Sequence, residues 1–171
     1  PPPLLQRMSR DAAPGLQVLY DACADYFVHA QGEPAHAGAA LDDFDDVPEG
    51  LSIEAKIVLA AVGADGACAA MIEGLRDYPH TGAWYLGLMM VRPDLRSCGL
   101  GSRLVRDFED IARSAGAGEI RLCVFDDRPR ALVFWLRNGY RFYRAVAGTP
   151  FGTRLQVRTE LHKMLVAPGY R

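Results

Sequence analysis

The chain has 171 residues, half of them apolar and 23% charged, with a formal net charge of −2. That profile fits one soluble globular domain over residues 1–171, able to bury roughly two-thirds of its unfolded surface without disulfide staples. It argues against a broad basic face for nucleic acid, while leaving room for a local anion site built from backbone amides, which needs no net positive charge.

Leu4 to Ser9 reads as a short strand. Asp11 offers a helix cap, and Leu16, Leu19, Tyr20, Cys23 and Phe27 fall on one helical face that Gly32 and Pro34 end. A weaker helical pattern over 34–41 runs into the acidic stretch Asp42-Asp43-Phe44-Asp45-Asp46, after which Pro48 and Gly50 mark a loop. KIVLAAV, from Lys56, is a strand; Asp65-Gly66 is a hairpin turn; CAAMIEGL is the returning strand. AWYLGLMMV is a third strand, ending at Pro93. A helix from Gly101 to about Ser114 carries Leu104, Val105, Phe108, Ile111 and Ala112 on one side, and Gly116 and Gly118 stop it. Strand EIRLCVF, helix RALVFWLRN and two strands around 140–146 and 155–165 complete the chain. The order β-α-α-β-β-β-α-β-α-β-β is an α/β fold, a mixed sheet with helices on its faces.

No apolar run is long enough to span a membrane. The four cysteines form no CxxC and no histidine pair has ligand spacing, so no metal site is expected. Free thiols suit a reducing cytosol, and a cytoplasmic location is expected. The chain opens on three prolines without Met, consistent with a native start upstream, and no signal-peptide pattern is visible.

The stretch RSCGLGSRLV, residues 96–105, sets two glycines at a strand–turn–helix junction. A glycine-rich turn opening a helix points unpaired N–H groups outward at the positive end of a dipole, which suits a phosphate. A dinucleotide fingerprint would need a third glycine where Leu104 stands, and a P-loop would need a lysine that is absent. The pattern R-x-x-G-x-G fits Arg96, Gly99 and Gly101. A plain tight turn is the simpler reading of the same residues.

VRPDLRSCGLGSRLV resembles the acetyl-CoA-binding motif of the GNAT superfamily of N-acetyltransferases, and RALVFWLRNGYRF resembles that family's later motif, some thirty residues downstream. The likeness is strong from about Leu86 to Phe142, and the element order also matches. The resemblance implies a splayed mixed sheet holding acetyl-CoA. The amides of Ser97, Cys98, Gly99, Leu100, Gly101 and Ser102 would face its pyrophosphate, with Arg96 and Arg103 supplying positive charge. The pantetheine arm would bond the backbone at Met89, Met90 and Val91, and Ala131, Phe134 and Trp135 would line its other side. Arg128 is either a phosphate contact or an exposed helix-start residue. Cys98 stands where a basic residue or Gly is common, and reads as a small turn residue rather than a nucleophile.

The resemblance implies acetyl transfer to a primary amine of a small molecule or peptide by direct attack on the thioester. Trp135 stands where a Tyr often protonates the departing thiolate, and indole cannot serve as that acid. Tyr140 and Tyr143 are the substitute candidates. The acidic residue often found on the strand before the turn is missing, which leaves Glu73 on the neighbouring strand as the best base. Tyr26, His29, Tyr78 and His80 are acceptor-side candidates, and the DDFDD run could attract a cationic amine. Homodimers are frequent in the family, so a second copy is a candidate partner. The alternative is a GNAT-like module that binds CoA without turnover.

Overall fold

The computed structural model describes residues 4–165. Its elements run β1 (Leu4–Arg7), α1 (Ala13–Ala22), α2 (Ala24–Gln31), α3 (Ala39–Asp45), β2 (Lys56–Val62), β3 (Cys68–Leu75), β4 (Ala83–Val91), α4 (Leu100–Ser114), β5 (Glu119–Phe125), α5 (Pro129–Arg137), β6 (Arg141–Phe151) and β7 (Arg154–Met164). Seven strands form one sheet in the order β1-β2-β3-β4-β5-β7-β6. Only β4 and β5 pair in parallel; the other neighbours are antiparallel.

Strand alternation sorts the side chains to two cores. Ile57, Leu59, Ile72, Trp84, Leu86, Ile120 and Leu122 face α4 and α5, meeting Leu104, Val105, Phe108 and Trp135. Val58, Ala60, Met71 and Met90 face the other way, against Leu16, Leu19, Tyr20, Cys23 and Phe27. The expected layering of helices on both faces of a mixed sheet is the one observed.

The N-terminal half departs from expectation in detail. The apolar face from Leu16 to Phe27 belongs to two helices, because Cys23 leaves helical geometry at φ −96°, ψ 30°. Its buried thiol donates to the Val91 carbonyl at 3.6 Å. The next helix starts at Ala39, not Pro34, and takes in most of the acidic run. Side-chain pairing explains why a charged stretch folds there: Tyr20 donates to Asp43 at 2.6 Å, His36 meets Asp42, and Arg10 pairs with Asp45. The run is thus helical rather than a loop, with Asp43 half-buried against Tyr20 and Asp42 and Asp45 still exposed in their pairs.

Two irregularities in β4 prepare the site. The pairing with β3 slips between Glu73 and Gly74, so that Glu73 faces Leu88 while Gly74 faces Leu86, which leaves Gly87 as an extra residue. The pairing with β5 runs only from Ala83–Glu119 to Leu86–Leu122, although β4 continues to Val91 and β5 to Phe125. The two strands part beyond that point.

Candidate active site

The parted strands open a cleft of about 920 Å³. Met89 and Val91 line it from β4, Leu122 to Phe125 from β5, Ala131, Phe134 and Trp135 from α5, and Ser97, Gly99, Gly101 and Ser102 from the turn. With β5 gone as a neighbour, the edge of β4 past Leu86 faces this space.

The turn is shaped by two left-handed residues, Ser97 (φ 63°) and Gly99 (φ 86°). The first amide of the turn that finds a helical acceptor is that of Arg103, on the Gly99 carbonyl at 3.1 Å. Among the described residues, no backbone acceptor is paired with the amides of residues 97–102. Donors at a helix start seek an anion or water. At Gly101, a Cβ would stand 3.4 Å from the Phe134 ring and 3.6 Å from Met89 Cε, so the bare backbone keeps this part of the cleft open. Arg128, Arg130 and Arg137 line the same cleft. Unpaired donors, cationic side chains and an apolar slot together fit a pyrophosphate ester with a long thiol-ended arm.

Arg96 also lines the cleft, but its guanidinium is committed to a bidentate pair with Asp25 (2.6 and 3.0 Å) and a bond to the Val91 carbonyl at 3.0 Å. It fastens the turn to α2 and to the end of β4. That bonding from Arg96 holds the Asp25 carboxyl below the usual carboxylate range. Met90 is buried in the α1–α3 core, so any role it has at the cleft runs through its backbone. Leu100 packs toward the α4–α5 core, and the exposed Cys98 thiol donates to the Leu95 carbonyl at 2.8 Å.

Glu73 stands on β3 between Val58 and Leu88, on the face toward α1–α3. One carboxylate oxygen is 2.5 Å from Lys56 Nζ, and the Lys56 side chain is itself only 7% exposed. The other, Oε1, lies 2.8 Å from where a Cβ of Gly87 would stand, and Gly87 lines the cleft. Glu73 does not itself line the cleft; its carboxylate lies against the bare backbone of Gly87, which does. Burial pushes the Glu73 carboxyl up to about 7; Lys56 opposes the shift, while Asp43 and Asp46 add to it. Tyr26 lines the cleft from α2, with its hydroxyl pushed up to about 12, chiefly by burial.

Two tyrosines proposed as acids lie elsewhere. Tyr140 is 0% exposed, edge-on to Trp135 at 5.1 Å and under Lys163, because its ring completes the α4–α5 core. Tyr143 stands on the outer strand β6, with Arg121 4.2 Å above its ring and His162 beside it. Neither lines the cleft. On the acceptor side, His29 pairs with Asp127 at 2.8 Å, Tyr78 packs edge-on against Tyr85, and the exposed His80 sits near Glu119 at 3.6 Å. Of those four candidates, Tyr26 reaches the cleft directly.

Several lining residues escaped the sequence reading: Tyr85, Gly87, Cys123, Phe125, Phe151 and Arg158. Tyr85 donates to Cys123 Sγ at 3.1 Å across the fork of the strands. The signal for Gly87 was a glycine inside an otherwise apolar strand, which marks a bulge or a close approach.

Comparison with known proteins agrees with this geometry. Residues 17–140 match the model of the acetyltransferase (GNAT) family. An acetyltransferase from Thermus thermophilus superposes with a TM-score of 0.74 at 19% identity, covering 94% of this chain and 97% of that one. The spermidine N-acetyltransferase of Vibrio cholerae, solved with CoA and spermine, gives 0.73 at 11% identity, over 95% of each chain. In sequence, the tRNA(Met) cytidine acetyltransferase of Aeropyrum pernix is 29% identical over 119 residues, which is 69% of this chain. The match spans only 15% of that relative's length.

Proposed function

The chain belongs to the acetyltransferase (GNAT) family, and we propose that it moves an acetyl group from acetyl-CoA to a primary amine by direct attack on the thioester. The observation that carries this reading is the parting of β4 from β5 above a turn whose amides have no backbone partner. In it, the amides of residues 97–102 hold the pyrophosphate, Arg128 and Arg130 add charge, and Met89, Phe134 and Trp135 enclose the thiol arm. Acetyl-CoA supplies the acetyl group: the amine nitrogen bonds to the carbonyl carbon, the C–S bond breaks, and the thiol leaves with a proton.

The chain's own residues then have three tasks. The cleft walls bring the two reactants together, which removes much of the entropic barrier. The free edge of β4 offers amides to the carbonyl oxygen as it gains charge. Glu73, through the gap at Gly87, takes the proton that the amine loses, directly or through a water. A carboxyl poised near neutrality suits that task, since it is ionised at working pH and still basic enough to accept a proton. This carboxylate favours turnover over a module that only binds CoA. With Trp135 at the arm and Tyr140 in the core, Tyr85, which lines the cleft and donates to Cys123 Sγ at the fork, is the hydroxyl assigned to return a proton to the sulfur.

The test is release of free thiol from acetyl-CoA in the presence of a panel of amines, with mass detection of the acetylated product. Amine-dependent thiol release supports the reading. Tight CoA binding with no release for any amine leaves only the binding module.

A further inference from the structure

We propose that Arg158 forms an anion subsite in the acceptor half of the cleft, so that the acceptor is an amine that also carries an oxyanion. The proposal rests on the acetyl-transfer reading for its amine, but on separate residues for its anion.

Arg158 lies on β7 directly opposite Phe125 of β5, and it lines the cleft. Opposed residues of an antiparallel pair point to the same face. That face is the one toward α2, because Gln156, two residues away, donates to the His29 and Ala30 carbonyls of α2 at 2.9 Å. The α4 turn and α5 flank the opposite face. A cofactor seated on the turn therefore presents its phosphates away from Arg158, and the acceptor approaches from Arg158's side.

The guanidinium is short of partners. Its Nε is buried and makes no hydrogen bond, Nη2 donates to Thr149 Oγ1 at 3.0 Å, and the group lies 5.1 Å over the Phe151 ring. Among the described residues, no carboxylate comes within ion-pair distance of it. The neighbouring acids are taken: Glu160 by Arg144, Asp126 by Thr159 and Asp127 by His29. A guanidinium is always charged, and a half-buried one without a counter-ion is costly unless a ligand brings the anion. Its fork matches a carboxylate or a phosphonate in bidentate fashion.

The spacing allows one molecule to use both ends. Cys123, at the fork, and Phe125 point to the same face two residues apart. Arg158, across from Phe125, is therefore roughly 8 Å from the fork by strand geometry. Phe125 and Phe151, edge-on at 5.7 Å, form an apolar wall for the part between amine and anion.

The experiment compares matched acceptors that differ only at the far end: ω-amino acids of increasing length, the corresponding alkylamines, the diamines and the aminoalkylphosphonates. Each is assayed for kcat/KM by thiol release, and for binding to the CoA-loaded protein by calorimetry, in wild type, Arg158→Gln and Arg158→Lys. The expected result is a preference for the anionic acceptors that Arg158→Gln lowers roughly tenfold to hundredfold, that Arg158→Lys partly keeps, and that leaves KM for acetyl-CoA unchanged. The carboxylate and phosphonate arms show which oxyanion is held. A wild-type preference for diamines or alkylamines overturns the proposal, as does a variant whose loss falls on acetyl-CoA. Arg158-dependent binding of the anionic ligands without any thiol release upholds the subsite while refuting acetyl transfer.

Discussion

Replacing Lys56 by Met removes the cation that pairs with Glu73, at 2.5 Å in a site where both side chains are at most 10% exposed. With Lys56 gone, burial and the two carboxylates that act on Glu73, Asp43 on α3 and Asp46 just beyond its end, all disfavour its charge. Loss of a neighbouring opposite charge moves a carboxyl by about 1–3 pH units, upward in this case. In the wild type the base is active when deprotonated, so kcat/KM falls as pH drops below about 7. A rise of about 2 units in Lys56→Met cuts the ionised fraction at pH 7.5 from about three-quarters to about 3%, roughly a 25-fold loss. That loss is expected to recover near pH 10. The assay is the pH profile of kcat/KM with an aryl amine such as aminobenzoate, whose amino group stays unprotonated across the range. Lys56→Arg, which keeps the charge, should retain the wild-type inflection, and thermal unfolding of each variant shows that it is folded. An unmoved inflection in Lys56→Met, or a deficit that persists at high pH, would refute Glu73 as the base.

Two further outcomes follow from the same geometry. Gly99→Glu and Gly101→Glu should each abolish CoA binding by calorimetry while circular dichroism stays native. The first puts a carboxylate on the left-handed residue beside the phosphate seat, and the second drives one into the slot between Phe134 and Met89. Wild-type affinity in both would contradict the seat. Gly87→Ala places a methyl 2.8 Å from Glu73 Oε1, and moving a catalytic group by about an ångström costs on the order of a hundredfold. Steady-state kinetics should therefore show kcat falling tenfold or more with KM for acetyl-CoA unchanged; an unaffected kcat would disconnect Gly87 from the chemistry.

The parts of this account that are legible in the sequence are local. Helix α4, with its glycine turn, and the strand–helix pair β5–α5 each declare themselves within a few residues by period and punctuation. The cleft inherits those elements: the residue pattern marks Gly99 and Gly101, the family resemblance of the later motif implies Ala131, Phe134 and Trp135, and all five line the cleft. What is not legible is set by pairing across the chain. Glu73 gains its environment from Lys56, seventeen positions away on β2, and its contact with Gly87 from a slip of register between β3 and β4. Arg158 sits in an alternating strand where nothing distinguishes it from Arg154 or Lys163 until β7 inserts between β5 and β6. Tyr140 carries the right chemistry for an acid, but its ring is needed by the core between Trp135 and Lys163. The split at Cys23 preserves the apolar face on both sides, so periodicity alone reads one helix.

The central claim is that the amides of residues 97–102 grip a diphosphate. Their own proton resonances report on it, in amide correlation spectra of the labelled protein titrated with CoA. The Gly99, Gly101 and Ser102 signals should move furthest and saturate with the binding isotherm. CoA binding that leaves those signals in place while moving others would contradict it.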